Sequence, residues 1–330
     1  MRQTLILSRK DIAGLLRPAD YLETVEAAFR AYKEGRVELP PPLHLGCPDG
    51  TFHAKAAALR GDRHYVALKL NGNFPDNPSR NRLPTIQGAV FLCDGCDGSL
   101  LAVLDSVEIT MGRTAAASAL AARHLARSDA RTILVCGCGD QGRAHAHAFN
   151  EVLPLRRLIA WDKDFARARA FAREMGEILE LDTRAVSELR QGSLVSDVIV
   201  TCTTSPKPIL GLSDVAPGAF VAAVGADSPN KNEIAPRLMA NATVVADVHQ
   251  QCIMMGDLKH AIDAGVMSAD DVHADLGDLV TGRKKGRNRP DEITIFDSTG
   301  TALQDVASAA IAFERAAESG IGTAFDFSAL

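Results

Sequence analysis

A chain of 330 residues has room for two domains, and its make-up, 46% hydrophobic and 23% charged with 26 glycines and 15 prolines, argues against a disordered or collagenous chain. Its 36 basic and 41 acidic residues leave a net charge of −5 without a basic block, which argues against nucleic acid or an anionic membrane as a partner. The longest stretch free of Asp, Glu, Lys and Arg lies between Asp214 and Asp227, too short to span a bilayer, and the seven cysteines are an odd number for a disulfide framework.

The start, Met1-Arg2-Gln3-Thr4, lacks the apolar core of a signal peptide and runs straight into a strand, Thr4–Leu7. Ser8 is placed to cap a helical turn through Ile12–Leu16, and Tyr21–Glu34 has helical periodicity, closed by Gly35 and the prolines 40–42. From residue 51 to residue 104 the pattern turns to short strands: Thr51–Ala58, Tyr65–Asn71, Ile86–Cys93 and Ser99–Leu104, an antiparallel sheet by its turn signals. An Ala-rich helix, Thr110–Leu125, leads into alternating elements: strand Arg131–Cys136, helix Gly142–Val152, strand Leu158–Trp161, helix Phe165–Gly176 and strand Val198–Thr201. Strands Phe220–Val224, Val244–Asp247 and Ile293–Phe296 follow, then a last helix, Ala302–Glu318. Alternation of this kind implies a parallel, doubly wound α/β sheet, and the whole reads as a reduced, cytoplasmic, two-domain protein.

The strand Thr132–Cys136 runs directly into Gly137-Cys138-Gly139-Asp140-Gln141-Gly142 and a helix, which is G-x-G-x-x-G in the context that a dinucleotide requires. Gly137 permits the tight turn, Gly139 lets the backbone approach a pyrophosphate, and Gly142 lets the helix pack against the strand. The helix N-terminus offers free N–H groups to the phosphates. Asp162 closes the next strand, 20 residues past Gly142, where a carboxylate holds the ribose hydroxyls of NAD and repels the 2′-phosphate of NADP.

The flanking segments resemble the ornithine cyclodeaminase/mu-crystallin family. They are Leu68-Lys69-Leu70-Asn71-Gly72-Asn73-Phe74-Pro75, Leu83-Pro84-Thr85, Arg113-Thr114-Ala115-Ala116, Gly225-Ala226-Asp227-Ser228-Pro229-Asn230-Lys231 and the stretch from Phe296 to Asp305. The resemblance implies NAD(P)-dependent homodimers with a Rossmann domain, here 113–305, and an α+β substrate-binding and dimerisation domain, here 1–112, completed by 306–330. It also implies one chemical event, hydride transfer between nicotinamide and the α-carbon of a small amino or imino acid.

By the same resemblance Lys69 and Arg113 hold the substrate carboxylate, a role that suits the guanidinium fork, and Asp227 manages the proton. Thr85, Arg113, Asp140, Gln141, Thr203, Ala223, Val224, Gly225 and Lys231 would line the dinucleotide beside Gly137, Gly139, Gly142 and Asp162. Thr299 and Gly300 would stand against nicotinamide and substrate. Read without the resemblance, Lys69 is a surface lysine of an alternating strand, Arg113 a loop cap and Asp227 a turn residue.

Two departures bear on the substrate. The family often carries an arginine after the proline segment, where this chain has His44, either a substitute carboxylate ligand or a histidine packed on the prolines. Ornithine cyclodeaminases tend to place a glutamate on the next strand, where this chain offers Lys55, a poor partner for the distal ammonium of ornithine. The expected activity is therefore that of an NAD-dependent imine reductase or amino-acid dehydrogenase. An ornithine or lysine cyclodeaminase, and a non-catalytic binder like mu-crystallin, are the alternatives. Cys93-Asp94-Gly95-Cys96 has no second pair at metal spacing and reads as a hairpin turn, so no metal is expected. His249, at the carboxyl edge of the sheet, is a second candidate for proton transfer.

Overall fold

The computed structural model describes residues 3–327. Residues 1–2 and 328–330, which the expected first domain includes, lie outside the described residues. The chain divides into two compact units, one holding everything up to Arg113 together with everything from Thr301 onward, the other Thr114–Gly300. Residues 301–305, expected with the nucleotide domain, belong instead to the first unit. They begin a single helix, Ala302–Ser319, that packs on that unit's sheet.

The sheet of the first unit takes the strands in the order Thr323–Phe325, Thr4–Leu7, Leu100–Asp105, Ile86–Asp94, His64–Asn73, Gly50–Arg60 and Val37–Glu38. Its pairings are antiparallel except where Thr4–Leu7 runs parallel to Leu100–Asp105. Along His64–Asn73 burial alternates: Tyr65, Ala67 and Lys69 are covered, while Val66, Leu68 and Leu70 face out. The helices Ala302–Ser319 and Pro18–Lys33 pack against each other, and both contact the strand Gly50–Arg60.

A strand absent from the sequence reading, Leu43–Cys47, pairs with Gly50–Arg60 through the tight turn at Pro48-Asp49, placing His44 opposite His53. His44 is therefore a strand residue and not one packed in a proline loop. The helix expected from Thr110 begins at Ser106, because the Asp105 carboxylate accepts from the Glu108 N–H at 2.8 Å and so caps an earlier turn.

In the second unit every strand pairing is parallel, in the order Asp182–Ala185, Arg157–Trp161, Thr132–Cys136, Val198–Thr201, Phe220–Ala223, Thr294–Asp297, Thr243–Ala246 and Ala274–Asp275. The interior strands are continuous apolar runs, as a sheet covered on both faces requires. The edge strand Asp182–Ala185 is polar and partly exposed, which hid it from periodicity. Strand order reverses next to Thr132–Cys136, and at such a switch point ligands bind beyond the carboxyl ends of the strands.

Candidate active site

The glycine loop sits at that switch point. Gly137 has φ +104°, and a Cβ there would lie 2.8 Å from the Cys202 carbonyl oxygen. A Cβ on Gly142 would come within 2.4 Å of the Gly137 oxygen, so both positions exclude a side chain for packing reasons. Around Gly139, by contrast, a Cβ would meet nothing within 4 Å, so open space lies where a pyrophosphate has to approach. The helix Asp140–Val152 starts from this glycine with no side-chain cap, leaving its first amides for an anion. Gln141 Oε1 is buried there without a hydrogen-bond partner. Asp162 Oδ2 accepts the Cys138 N–H at 2.9 Å, which sets the acid against the glycine loop. These groups fit a dinucleotide.

Further along the carboxyl edge the loops are held by buried carboxylates that sequence reasoning had missed. Glu233, wholly buried, accepts from the Thr203 N–H and hydroxyl, each at 2.6 Å, and from the Gly225 N–H at 2.8 Å. One side chain thus joins the loops after two neighbouring strands. Asp257 accepts from the N–H groups of Glu233 and Ile234, and Asp297 accepts from those of Asp257 and Leu258. Burial raises all three carboxyl pKa values, with Asp297 pushed up to about 7 and Asp257 raised further by the neighbouring charges of Asp297 and Glu233.

Thr299 and Gly300 are held with similar care. Asp247 accepts from the Gly300 N–H at 2.7 Å, while the Gln251 amide donates to Thr299 Oγ1 and to the Gly300 carbonyl at 2.8 and 2.9 Å. Asp227 follows the strand Phe220–Ala223 and makes a 2.6 Å ion pair with Lys231. Two residues expected to serve different partners therefore face each other. His249 opens a short helix, with Nε2 buried and without a hydrogen-bond partner.

In the first unit Lys69 and Arg113 converge. Lys69 Nζ lies 2.6 Å from Asp305 Oδ2, and Arg113 Nε donates to Asp305 Oδ1 at 2.9 Å and Nη1 to Gln304 Oε1 at 2.8 Å. Each cation is only 4% exposed, so Lys69 is no surface lysine and Arg113 no loop cap. Burial lowers the Lys69 pKa to about 7; Asp305 opposes that, and the neighbouring charges of Arg113 and Lys55 add to it. Burial works against ionisation of Asp305, yet Lys69 and Arg113 hold its pKa below the ordinary value. Thr85 belongs to this unit too, just before the strand Ile86–Asp94, and His44 stands exposed with its ring 4.6 Å from that of His53.

A doubly wound sheet with a glycine cradle, joined in one chain to an α+β unit carrying buried cations, defines a dinucleotide-dependent protein of two domains. A model of the ornithine cyclodeaminase/mu-crystallin family matches residues 2–320, and the chain belongs to that family. An archaeal alanine dehydrogenase, solved as a dimer with bound NAD, is 34% identical over 98% of this chain and 99% of its own, with a TM-score of 0.94. The Δ1-pyrroline-2-carboxylate reductase of Thermococcus litoralis, solved with NADH and L-proline, is 29% identical over 97% and 99%, with a TM-score of 0.93. The iminosuccinate reductase of Paracoccus denitrificans, solved with NAD+, is 30% identical over 99% and 100%, with a TM-score of 0.89.

Proposed function

We propose that this protein is an NAD-dependent imine reductase or amino-acid dehydrogenase, acting between nicotinamide and the α-carbon of a small amino or imino acid. The observation that carries the reading is the buried pair Lys69 and Arg113, oriented by a shared carboxylate, in a chain whose other unit carries the glycine cradle. Two fixed cations under cover form a carboxylate receptor, since charge-assisted bonds strengthen where water is excluded. Gly137–Gly142 would hold the pyrophosphate of NAD and Asp162 its ribose, and the nicotinamide would supply or accept the hydride. Reducing an imine consumes one hydride at carbon and one proton at nitrogen, and Asp227 delivers that proton. Asp140, Gln141, Thr203, Ala223, Val224, Gly225, Lys231 and Thr85 line the cofactor, while Thr299 and Gly300 meet nicotinamide and substrate. All three solved relatives named above hold NAD or NADH, and the Thermococcus litoralis reductase also holds L-proline.

The test is NADH absorbance with a panel of 2-oxo acids plus ammonia or methylamine, cyclic imines, and ornithine and lysine beside them. Consumption of NADH in proportion to amine formed supports the reading. Ammonia release from ornithine or lysine at constant total NADH would make the protein a cyclodeaminase.

The same reading includes a homodimer. Val66, Leu68 and Leu70 share one exposed sheet face with Phe91, which stands opposite Leu68. Contiguous apolar surface of this kind favours association. Light scattering at micromolar concentration is expected to give twice the 35.1 kDa chain mass, and a species of one chain mass overturns the dimer.

A further inference from the structure

The last long helix has a buried polar face of which the carboxylate receptor uses only a part. Thr301, the N-cap, and Gln304, Asp305 and Ser308 recur at three- and four-residue spacing, which places them on one side of the helix Ala302–Ser319, and all four are buried. Asp305 is the carboxylate between Lys69 and Arg113. Gln304, its neighbour in the chain, has been given no part beyond its contact with Arg113.

The two ends of the Gln304 amide stand in different surroundings. Arg113 Nη1 donates to Oε1 at 2.8 Å. A guanidinium can only donate, so this contact decides which end of the amide is oxygen and which is nitrogen. The Nε2 group is buried and has no hydrogen-bond partner among the described residues. A buried NH2 without an acceptor is costly, and such an orphan donor marks a place where an acceptor arrives. The cations beside it keep donors in hand as well. Lys69 directs its ammonium to Asp305 and, at 3.3 Å, to Thr110 Oγ1, which leaves its third proton. Arg113 uses Nε on Asp305 and Nη1 on Gln304, and Nη2 takes part in neither contact. With Lys69 charged, Lys69, Arg113 and Asp305 leave one positive charge among them, enough for one carboxylate. That carboxylate brings two oxygens and about four acceptor sites, more than one ammonium proton and one guanidinium nitrogen satisfy. Gln304 adds donors to the cluster without adding charge.

We infer that Gln304 is the third member of the receptor for the substrate α-carboxylate: its Oε1 holds the Arg113 guanidinium while its Nε2 donates to a carboxylate oxygen of the substrate. The inference rests on the reading that Lys69 and Arg113 take that carboxylate. A substrate amide in the same place would turn an NH2 group toward these donors, so the site selects the free acid over its amide.

Two variants separate contact with the substrate from mere support of Arg113. Gln304→Glu keeps an oxygen for the guanidinium and puts a second oxygen where the NH2 stood. A residue that only supports Arg113 survives that change, whereas one that donates to the substrate then meets it with an acceptor of like charge. Gln304→Met keeps the length of the side chain and removes both polar ends. The measurement is KM for a 2-oxo acid with ammonium and NADH, beside the melting temperature and NADH affinity of each variant. KM is expected to rise at least about tenfold in Gln304→Met, the worth of one hydrogen bond to a charged group, and further in Gln304→Glu. An unchanged KM in Gln304→Glu overturns the inference; if that variant does not fold, an unchanged KM in Gln304→Met does so. Should Lys69→Met leave KM unchanged as well, the reading of the receptor falls with it; a KM raised by Lys69→Met alone leaves that reading standing. If no 2-oxo acid consumes NADH, the hydride reading fails, and calorimetric titration with pyruvate decides the inference separately. Pyruvate binding weakened by Gln304→Glu sustains it, and equal binding, or none to the unmutated protein, ends it.

Discussion

Lys69 and Asp305 form a 2.6 Å ion pair between a strand in the first third of the chain and the first turn of its last long helix. Helix and strand belong to one unit, and the pair lies where the helix covers the sheet. A lysine so enclosed titrates near the pH at which enzymes work, because burial disfavours its charged form.

A pH dependence follows from this. With the Lys69 pKa at about 7, the free protein presents a charged lysine below that pH and increasingly a neutral one above it. A substrate carboxylate binds the charged form, so above pH 7 binding must carry in a proton. Its apparent affinity then falls by up to tenfold per pH unit. KM for the acid substrate is expected to be lower at pH 6 than at pH 8.5, with the rise setting in near 7 and continuing above it. Lys69→Arg keeps the charge at every pH, at some cost in fit, and should flatten the profile. A KM independent of pH from 6 to 8.5 in the unmutated protein would show that Lys69 does not receive the carboxylate.

Glu233 offers a test of the cofactor loops. Its two oxygens accept from Thr203 and Gly225, so Glu233→Gln turns an amide NH2 toward a buried N–H donor. An unsatisfied buried donor costs about 1–3 kcal/mol. Part of that loss should appear as a lower melting temperature and part as weaker NAD binding, because the two loops lose their common anchor. Fluorescence titration with NADH measures the second effect. Wild-type NADH affinity together with an unchanged melting temperature would remove Glu233 from any positioning role.

Much of this was legible in the sequence, for reasons that can be named. The stretch from Thr132 to Asp162 carries its instructions locally: an apolar strand, glycines at fixed offsets, a helix and an acid. Lys69 behaved differently, because alternation places it on one face of a strand without saying which face is covered. The cover is a helix more than two hundred residues later, so burial is decided by tertiary packing alone. Glu233, Asp257 and Asp297 stand in polar or mixed surroundings in sequence, and each becomes an anchor only because several loops close around it. The strand Leu43–Cys47 did leave a signal: an alternating Leu-His-Leu followed by Pro48-Asp49-Gly50 spells a hairpin.

Asp162 should set the choice of cofactor. Its carboxylate is fixed by the N–H groups of Cys138 and Asp164, at 2.9 and 3.0 Å, and so cannot swing away from an incoming 2′-phosphate. Two like charges about 4 Å apart repel by roughly 1–4 kcal/mol near a protein surface, enough for a preference of about five- to several-hundred-fold. NADH is expected to bind that much more tightly than NADPH. Asp162→Ser should bring the two within a few-fold of each other. Equal affinities in the unmutated protein would contradict the role.

Asp227 carries the proton chemistry in this scheme, and its ion pair with Lys231 makes the test sharper. The 2.6 Å contact steadies the carboxylate at the carboxyl end of its strand. Asp227→Asn keeps the shape and can still accept a hydrogen bond from Lys231, but it neither donates nor takes the proton. General acid–base catalysis of this kind contributes roughly 10²–10⁴-fold, and a loss of that size in kcat is expected at saturating NADH. NADH affinity should change little, because the phosphate and ribose contacts belong to the glycine loop and Asp162. Asp227→Glu retains a titrating carboxyl and should recover part of the rate, which a purely structural role would not produce. Near-normal turnover in Asp227→Asn would move the acid elsewhere, and His249, with its buried and unpartnered Nε2, is the next side chain to replace.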